Sequence, residues 1–97
     1  MNKYKKIKER LKEYKGQLNQ KYKVKEIGIF GSYVRKEAKE KSDLDILVEF
    51  KEPVDFFEFL ELEEYLSKIL KARVDLVMKR TLKPAIGKNI LEEVVYV

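Results

Sequence analysis

The sequence predicts an α/β (α+β) domain in which a small β-sheet is flanked by helices, and three observations carry that expectation. Short β-prone runs alternate along the chain with stretches of helical period. A length of 97 residues suits one core of modest size, so a single domain over residues 1–97 is expected. Cysteine and histidine are both absent, so neither a disulfide nor a thiolate or imidazole metal site can staple the fold, and packing has to hold it.

Each element follows from its pattern. Tyr4, Ile7, Leu11, Tyr14 and Leu18 recur at spacings of three and four, which predicts a helix over 3–19 with one buried stripe and a lysine-rich solvated face. Val24 to Phe30 reads as a strand that stops at Gly31-Ser32, a small-residue turn expected to open a second short helix through about Ala38. Lys39 to Ser42 is a polar connection. Leu44 to Phe50 is a second strand, with Leu44, Ile46, Val48 and Phe50 on one face. After Glu52-Pro53, Asp55 is placed to cap a helix and Glu58 stands in the capping-box position; Phe56, Phe59, Leu60, Leu66, Ile69 and Leu70 are assigned to its core stripe. The run Phe56-Phe57-Phe59 is accordingly read as packing rather than as a ligand box. Arg73 to Met78 forms a third strand, with Val74 and Leu76 on one face and Asp75 on the other. The catalytic core is thereby expected within 24–78. Residues 84–97 supply a last helix, to about Glu92 and weakened by Gly87, and an extended piece Val94–Val97 that folds back onto the core.

Composition narrows the function. Lysine and arginine number 22 against 17 acidic residues, a net charge of +5 that attracts phosphates or an acidic partner but equally serves solubility. Nowhere do 18 apolar residues run together, and the initial MNKYKKIKER lacks an apolar stretch behind its charge, so no membrane span or leader is expected and a cytoplasmic location is. With no sulfur or imidazole ligand, a metal would have to sit on carboxylate oxygen, which favours Mg²⁺ or Mn²⁺ over zinc.

The acidic residues are 13 glutamates and four aspartates. Asp55 is explained as a cap. Asp43, Asp45 and Asp75 lie in or against strands, where aspartate is disfavoured and a buried carboxylate is costly unless it meets a cation. Residues two apart on a strand project to the same side, about 6 to 7 Å apart, so Asp43 and Asp45 can converge on one ion or a close pair of ions. Asp75 joins them if the third strand lies beside the second. The Gly31-Ser32 turn, where a strand is expected to feed a helix, offers backbone N–H groups to phosphate oxygen. Gly31 permits close approach, Ser32 supplies a hydroxyl and Arg35 supplies charge.

Taken together, Gly31-Ser32-Tyr33-Val34-Arg35, Ser42-Asp43-Leu44-Asp45-Ile46-Leu47-Val48 and Arg73-Val74-Asp75-Leu76-Val77 resemble the signature of the polymerase-β-like nucleotidyltransferase superfamily, and within it the minimal nucleotidyltransferases. The similarity covers about residues 24–97. It implies the nucleotidyltransferase fold with a small mixed sheet. It also implies Gly31, Ser32 and Arg35 at the triphosphate, two Mg²⁺ ions on the catalytic Asp43, Asp45 and Asp75, and ATP as nucleotide donor. Further, it implies an antitoxin that adenylylates a HEPN-type RNase toxin on tyrosine, in a hetero-complex or as a homo-oligomer. One departure is Lys36, where relatives often carry glycine after the arginine. Other readings stay open at this point: transfer to a small molecule or an RNA end, or noncatalytic neutralisation of a partner. A basic nucleic-acid-binding module is disfavoured, because three strand aspartates repel a phosphate backbone.

Overall fold

The structure, a computed structural model, describes residues 3–97. Helix α1, Lys3–Tyr22, runs past its expected end at residue 19. It turns into the sheet at Lys23, whose φ of 61° lies in the left-handed region. Ile7, Leu11 and Leu18 are its buried stripe, with Tyr4 and Tyr14 packed part-way, as the three–four spacing requires.

Strand β1, Val24–Phe30, pairs antiparallel with β2, Leu44–Phe50, and β2 pairs parallel with β3, Val74–Met78. Two parallel neighbours cannot be joined by a tight turn, and helix α2, Phe56–Leu70, provides the crossover between them. Helix α3, Pro84–Glu93, then delivers β4, Val95–Tyr96, antiparallel to the free edge of β1. The sheet order is therefore β3-β2-β1-β4, a mixed sheet. Among the described residues no helix is long and apolar enough to cross a membrane.

Alternation along the strands divides the molecule. Ile27, Ile29, Leu44, Ile46, Val48 and Leu76 face one way and close over with Leu62, Leu66 and Leu70 of α2 and the stripe of α1 into a single core. Each such fully buried side chain contributes roughly 1.5–3 kcal/mol. The opposite face, on which Phe30 and Leu47 are also buried, carries Asp45 and Asp75 toward one end.

Two expectations are corrected. The first concerns α2. Its capping box is present, with Glu58 N–H donating to Asp55 and Asp55 N–H donating to Glu58, but Phe56 and Phe57 are 68% and 72% exposed and Leu60 is 39% exposed. The stripe that packs is Phe59, Leu62, Leu66, Ile69 and Leu70. Phe57 and Leu60 project away from a stripe centred on Leu66, and Phe56 occupies the first turn on its flank. The second concerns the segment after Gly31. No α-helix reaches Ala38; Gly31–Tyr33 is one 3₁₀ turn, with Val34 and Arg35 N–H both on the Gly31 carbonyl at 3.0 and 3.1 Å. The turn closes where Glu37 N–H donates to Ser32 O and Lys36 N–H to Tyr33 O, the pattern of a Schellman motif. Lys36, with φ of 61°, holds the left-handed position that such a motif gives to glycine, so the departure noted in the sequence falls where glycine would be unstrained.

Gly28 fixes the seat of β4. A Cβ there would stand 2.7 Å from Val94 Cγ2 and 2.9 Å from the Val95 carbonyl oxygen, and the latter is backbone that cannot rotate aside. Gly28→Ala should therefore destabilise the fold by about 1–3 kcal/mol, through the displaced β4. Urea unfolding followed by circular dichroism checks this; a change within 0.5 kcal/mol, the usual scatter of about that size for surface substitutions, would mean that β4 is not held against β1.

Candidate active site

The site lies at one end of the sheet, on the face away from the main core. Register builds it: Phe30 pairs with Asp45 across β1 and β2, and Asp45 pairs with Asp75 across β2 and β3. In-register neighbours on one face of a sheet project together, so Asp45 and Asp75 share a cleft of about 370 Å³ with Gly31, Arg35 and Glu93. Val77, Ile86 and Ile90 form its apolar wall, which places α3 along this face.

Gly31 is required twice over. Its φ is 81°, and a Cβ at this position would collide with the Asp45 carboxylate. The absent side chain leaves room beside Asp45, and the Gly31 N–H donates to Glu93 Oε2 at 2.8 Å. Arg35 reaches the same carboxylate, its Nη1 donating to Glu93 Oε1 at 2.7 Å while Nε donates to Glu37 at 3.1 Å.

Electrostatics mark Asp45 as the strained group. Burial pushes its carboxyl up from the ordinary carboxylate range, the charges of Asp75 and then Asp43 push it further, and Arg35 opposes them. Glu93 moves the other way. Burial raises it, but the hydrogen bonds from Arg35 and from the Gly31 N–H outweigh that and hold it below its usual value.

The sequence-derived candidates are thus brought together unequally. Gly31, Arg35, Asp45 and Asp75 line one cleft. Asp43 is the exposed residue just before β2, where its Oδ1 accepts from Arg73 Nε and Nη2, both at 3.0 Å. Ser32 lies in the 3₁₀ turn, half-buried, and does not line the cleft. Among the described residues no three acidic side chains are gathered closely enough to hold a metal ion as they stand. The donor set nevertheless suits a hard divalent cation: Asp45 and Asp75 offer only carboxylate oxygen, and their mutual repulsion in a partly desolvated cleft is what a cation would relieve. Asp43, two residues before Asp45 and so on the same side of the chain, is engaged by Arg73 instead.

Sequence reasoning missed Glu93. No spacing ties it to Gly31, 62 residues away; the pairing of β4 with β1 brings it there. One signal was available. A carboxylate in the last turn of a helix opposes the helix dipole, so Glu93 at the end of α3 is unfavourable unless something nearby pairs with it.

Residues 6–97 match the sequence profile of the nucleotidyltransferase domain. The chain belongs to that family. This nucleotidyltransferase is 58% identical over 87 residues, 90% of its own length and 88% of the relative's, to the protein adenylyltransferase MntA of Thermococcus cleftensis. It superposes with a TM-score of 0.79 and 33% identity on a solved protein provisionally named a minimal nucleotidyltransferase, covering 98% of this chain and 95% of that one. It also matches a chain in the structure of a tri-AMPylated Shewanella oneidensis HEPN toxin in complex with an MNT antitoxin, at a TM-score of 0.63 and 26% identity, covering 99% of this chain and 71% of that one.

The raised Asp45 carboxyl predicts a pH signature for the cation-free nucleotidyltransferase. A carboxyl raised by folding binds more protons in the native state than in the unfolded state, so stability falls as pH climbs from the ordinary carboxylate range through the raised value. Asp45→Asn should remove that slope and raise the melting temperature at pH 7 by a few degrees in the presence of chelator. A melting temperature at or below wild type would show that Asp45 is not under repulsion.

Proposed function

We propose that this nucleotidyltransferase moves AMP from ATP onto a tyrosine hydroxyl of a HEPN-type toxin and so acts as an antitoxin in the cytoplasm. The observation that carries the reading is the register across three strands, which sets Asp45 against Asp75 beside the side-chain-free Gly31 turn and Arg35. The relative named as a protein adenylyltransferase and the structural relative bound to an AMPylated HEPN toxin support both the donor and the class of acceptor.

The chemistry follows from the groups present. Asp43, Asp45 and Asp75 would hold Mg²⁺, two ions on the family pattern and with Mn²⁺ an alternative, and the bound cations would offset charge on the phosphates as it develops. Gly31, Ser32 and Arg35 would receive the β- and γ-phosphates, Gly31 by the room its missing side chain leaves while its own N–H stays on Glu93, Ser32 through its hydroxyl once turned toward the cleft, and Arg35 through its guanidinium. Asp75, exposed at the open side of the pair, takes the proton of the incoming hydroxyl, a role that falls to a carboxylate in a chain without histidine. The hydroxyl oxygen forms a bond to the α-phosphorus, the bond from that phosphorus to the bridging oxygen breaks, and pyrophosphate leaves with the electron pair. The cleft is open and of modest volume, which favours an acceptor that brings its own walls, as a protein does.

The test incubates the protein with Mg²⁺ and ATP, GTP, CTP or UTP labelled at the α-phosphate, in a lysate of the organism that makes it. We expect label from ATP on a protein, reduced about 100-fold or more in an Asp43→Ala, Asp45→Ala double variant. Label on RNA or a small molecule would overturn the acceptor assignment. Triphosphate bound by both proteins with label on nothing would favour neutralisation by complex formation alone.

A further inference from the structure

We propose that Glu93 is a positioning residue for the nucleotide donor: its carboxylate clamps the Gly31 turn and the Arg35 guanidinium in the arrangement that receives the phosphates. The inference rests on the transferase reading above and adds to it a residue from outside the shared motif.

An α-helix after Gly31 would have locked the phosphate-binding segment into a rigid element, but the chain supplies one 3₁₀ turn that ends in a left-handed lysine. Such a segment needs an outside tether. Glu93 provides one with both oxygens, Oε2 on the Gly31 N–H at 2.8 Å and Oε1 on Arg35 Nη1 at 2.7 Å, both charge-assisted. The side chain of Glu93 is 22% exposed, whereas Glu37, the other carboxylate on Arg35, is 64% exposed. The inner contact is therefore the less screened of the two.

The clamp leaves Arg35 useful. Nε and Nη1 are engaged, and Nη2 keeps its donors for a phosphate oxygen. Rotamer freedom that a long side chain would lose on binding is given up beforehand, which is how preorganisation strengthens a site. The tether is itself anchored. Val94 N–H bonds to the Ile90 carbonyl at 2.9 Å, Val95 pairs with Ile29, and the close contact of Val94 and Val95 with Gly28 fixes the chain immediately after Glu93.

A competing reading uses the same contacts. In it the carboxylate is an anion parked on the phosphate donors, which ATP would have to displace. The two readings predict opposite signs: removing a clamp weakens nucleotide binding, whereas removing a competitor strengthens it. The unclaimed Nη2 and the pinned end of α3 favour the clamp.

The experiment measures binding of a nonhydrolysable ATP analogue with Mg²⁺ to wild type, Glu93→Ala, Glu93→Gln, Arg35→Ala and the Arg35→Ala, Glu93→Ala double variant, each at a temperature well below its melting point. Glu93→Ala should raise the Kd about tenfold. Glu93→Gln should fall between, because an amide offers one acceptor oxygen to two donors. In the Arg35→Ala background, loss of Glu93 should have a smaller effect than in wild type, since part of its action passes through Arg35. In transfer assays the nucleotide KM should rise with kcat and acceptor KM little changed, a split that a loss of folded protein does not produce. If Glu93→Ala proves unfolded, Glu93→Gln decides the matter. Binding as tight as wild type, or tighter, or fully additive losses in the double variant, would overturn the clamp while leaving the transferase reading intact; a wild type that binds no triphosphate would sink both.

Discussion

The contact on which the rest depends is the approach of the Gly31 backbone to the Asp45 carboxylate. A Cβ at residue 31 would collide with that carboxylate, and the φ of 81° there is one that L side chains resist. Both demands arise from the pairing of Phe30 with Asp45, which ends β1 beside the start of β2 and makes the chain reverse directly above a charged side chain. Because the reversal is tight, the Gly31 N–H faces Glu93 and its carbonyl gathers the N–H groups of Val34 and Arg35. A bulkier residue would push the turn outward and separate Arg35 from the aspartates. The geometry of the cleft is thus set by the lack of one side chain.

The sheet separates stability from chemistry by face. Ile27, Ile29, Leu44, Ile46 and Val48, with α1 and α2 packed on them, form an apolar layer in which no charged residue is buried. Like charges accumulate on the reverse face, where Asp45 sits under the repulsion of Asp75 and Asp43. Such a cluster lowers stability, and the core on the other side of the same strands offsets it. The parallel pairing of β2 and β3 is what joins the two roles. Its crossover helix α2 supplies Leu62, Leu66 and Leu70 to the core, and its register sets Asp45 beside Asp75.

Much of this was legible in the sequence, for local reasons. The limits of β1 and β2, the capping box at Asp55 and the stripe of α1 all follow from period and from residue chemistry within a few positions. What failed was what depends on distant partners or on the last step of a pattern. Phe56, Phe57 and Leu60 look like core because they are large and apolar, but whether a helix residue is covered depends on which side meets the sheet, and Leu62 sets that side. The helix expected after Gly31 ends after one turn because Lys36 goes left-handed, a conformation that a lysine does not advertise. Glu93 enters the cleft only because β4 returns to β1, a pairing of two residues that no local pattern could fix.

The unequal placement of the aspartates has its own logic. Asp43 is held away from the cleft by Arg73, whose side chain is 83% exposed, and Asp43 itself is 48% exposed. An exposed pair of this kind contributes roughly 0.2–1 kcal/mol, and salt weakens it further. Among the described residues neither Asp45 nor Asp75 has such an ion-pair partner, and burial adds to the repulsion that Asp45 feels. The pair in the cleft therefore has the greater need of a cation, while Asp43 has the cheaper alternative. A divalent charge beside Asp45 would gain most from the part-buried Asp45 and its neighbour Asp75, and would lose little by drawing Asp43 off Arg73.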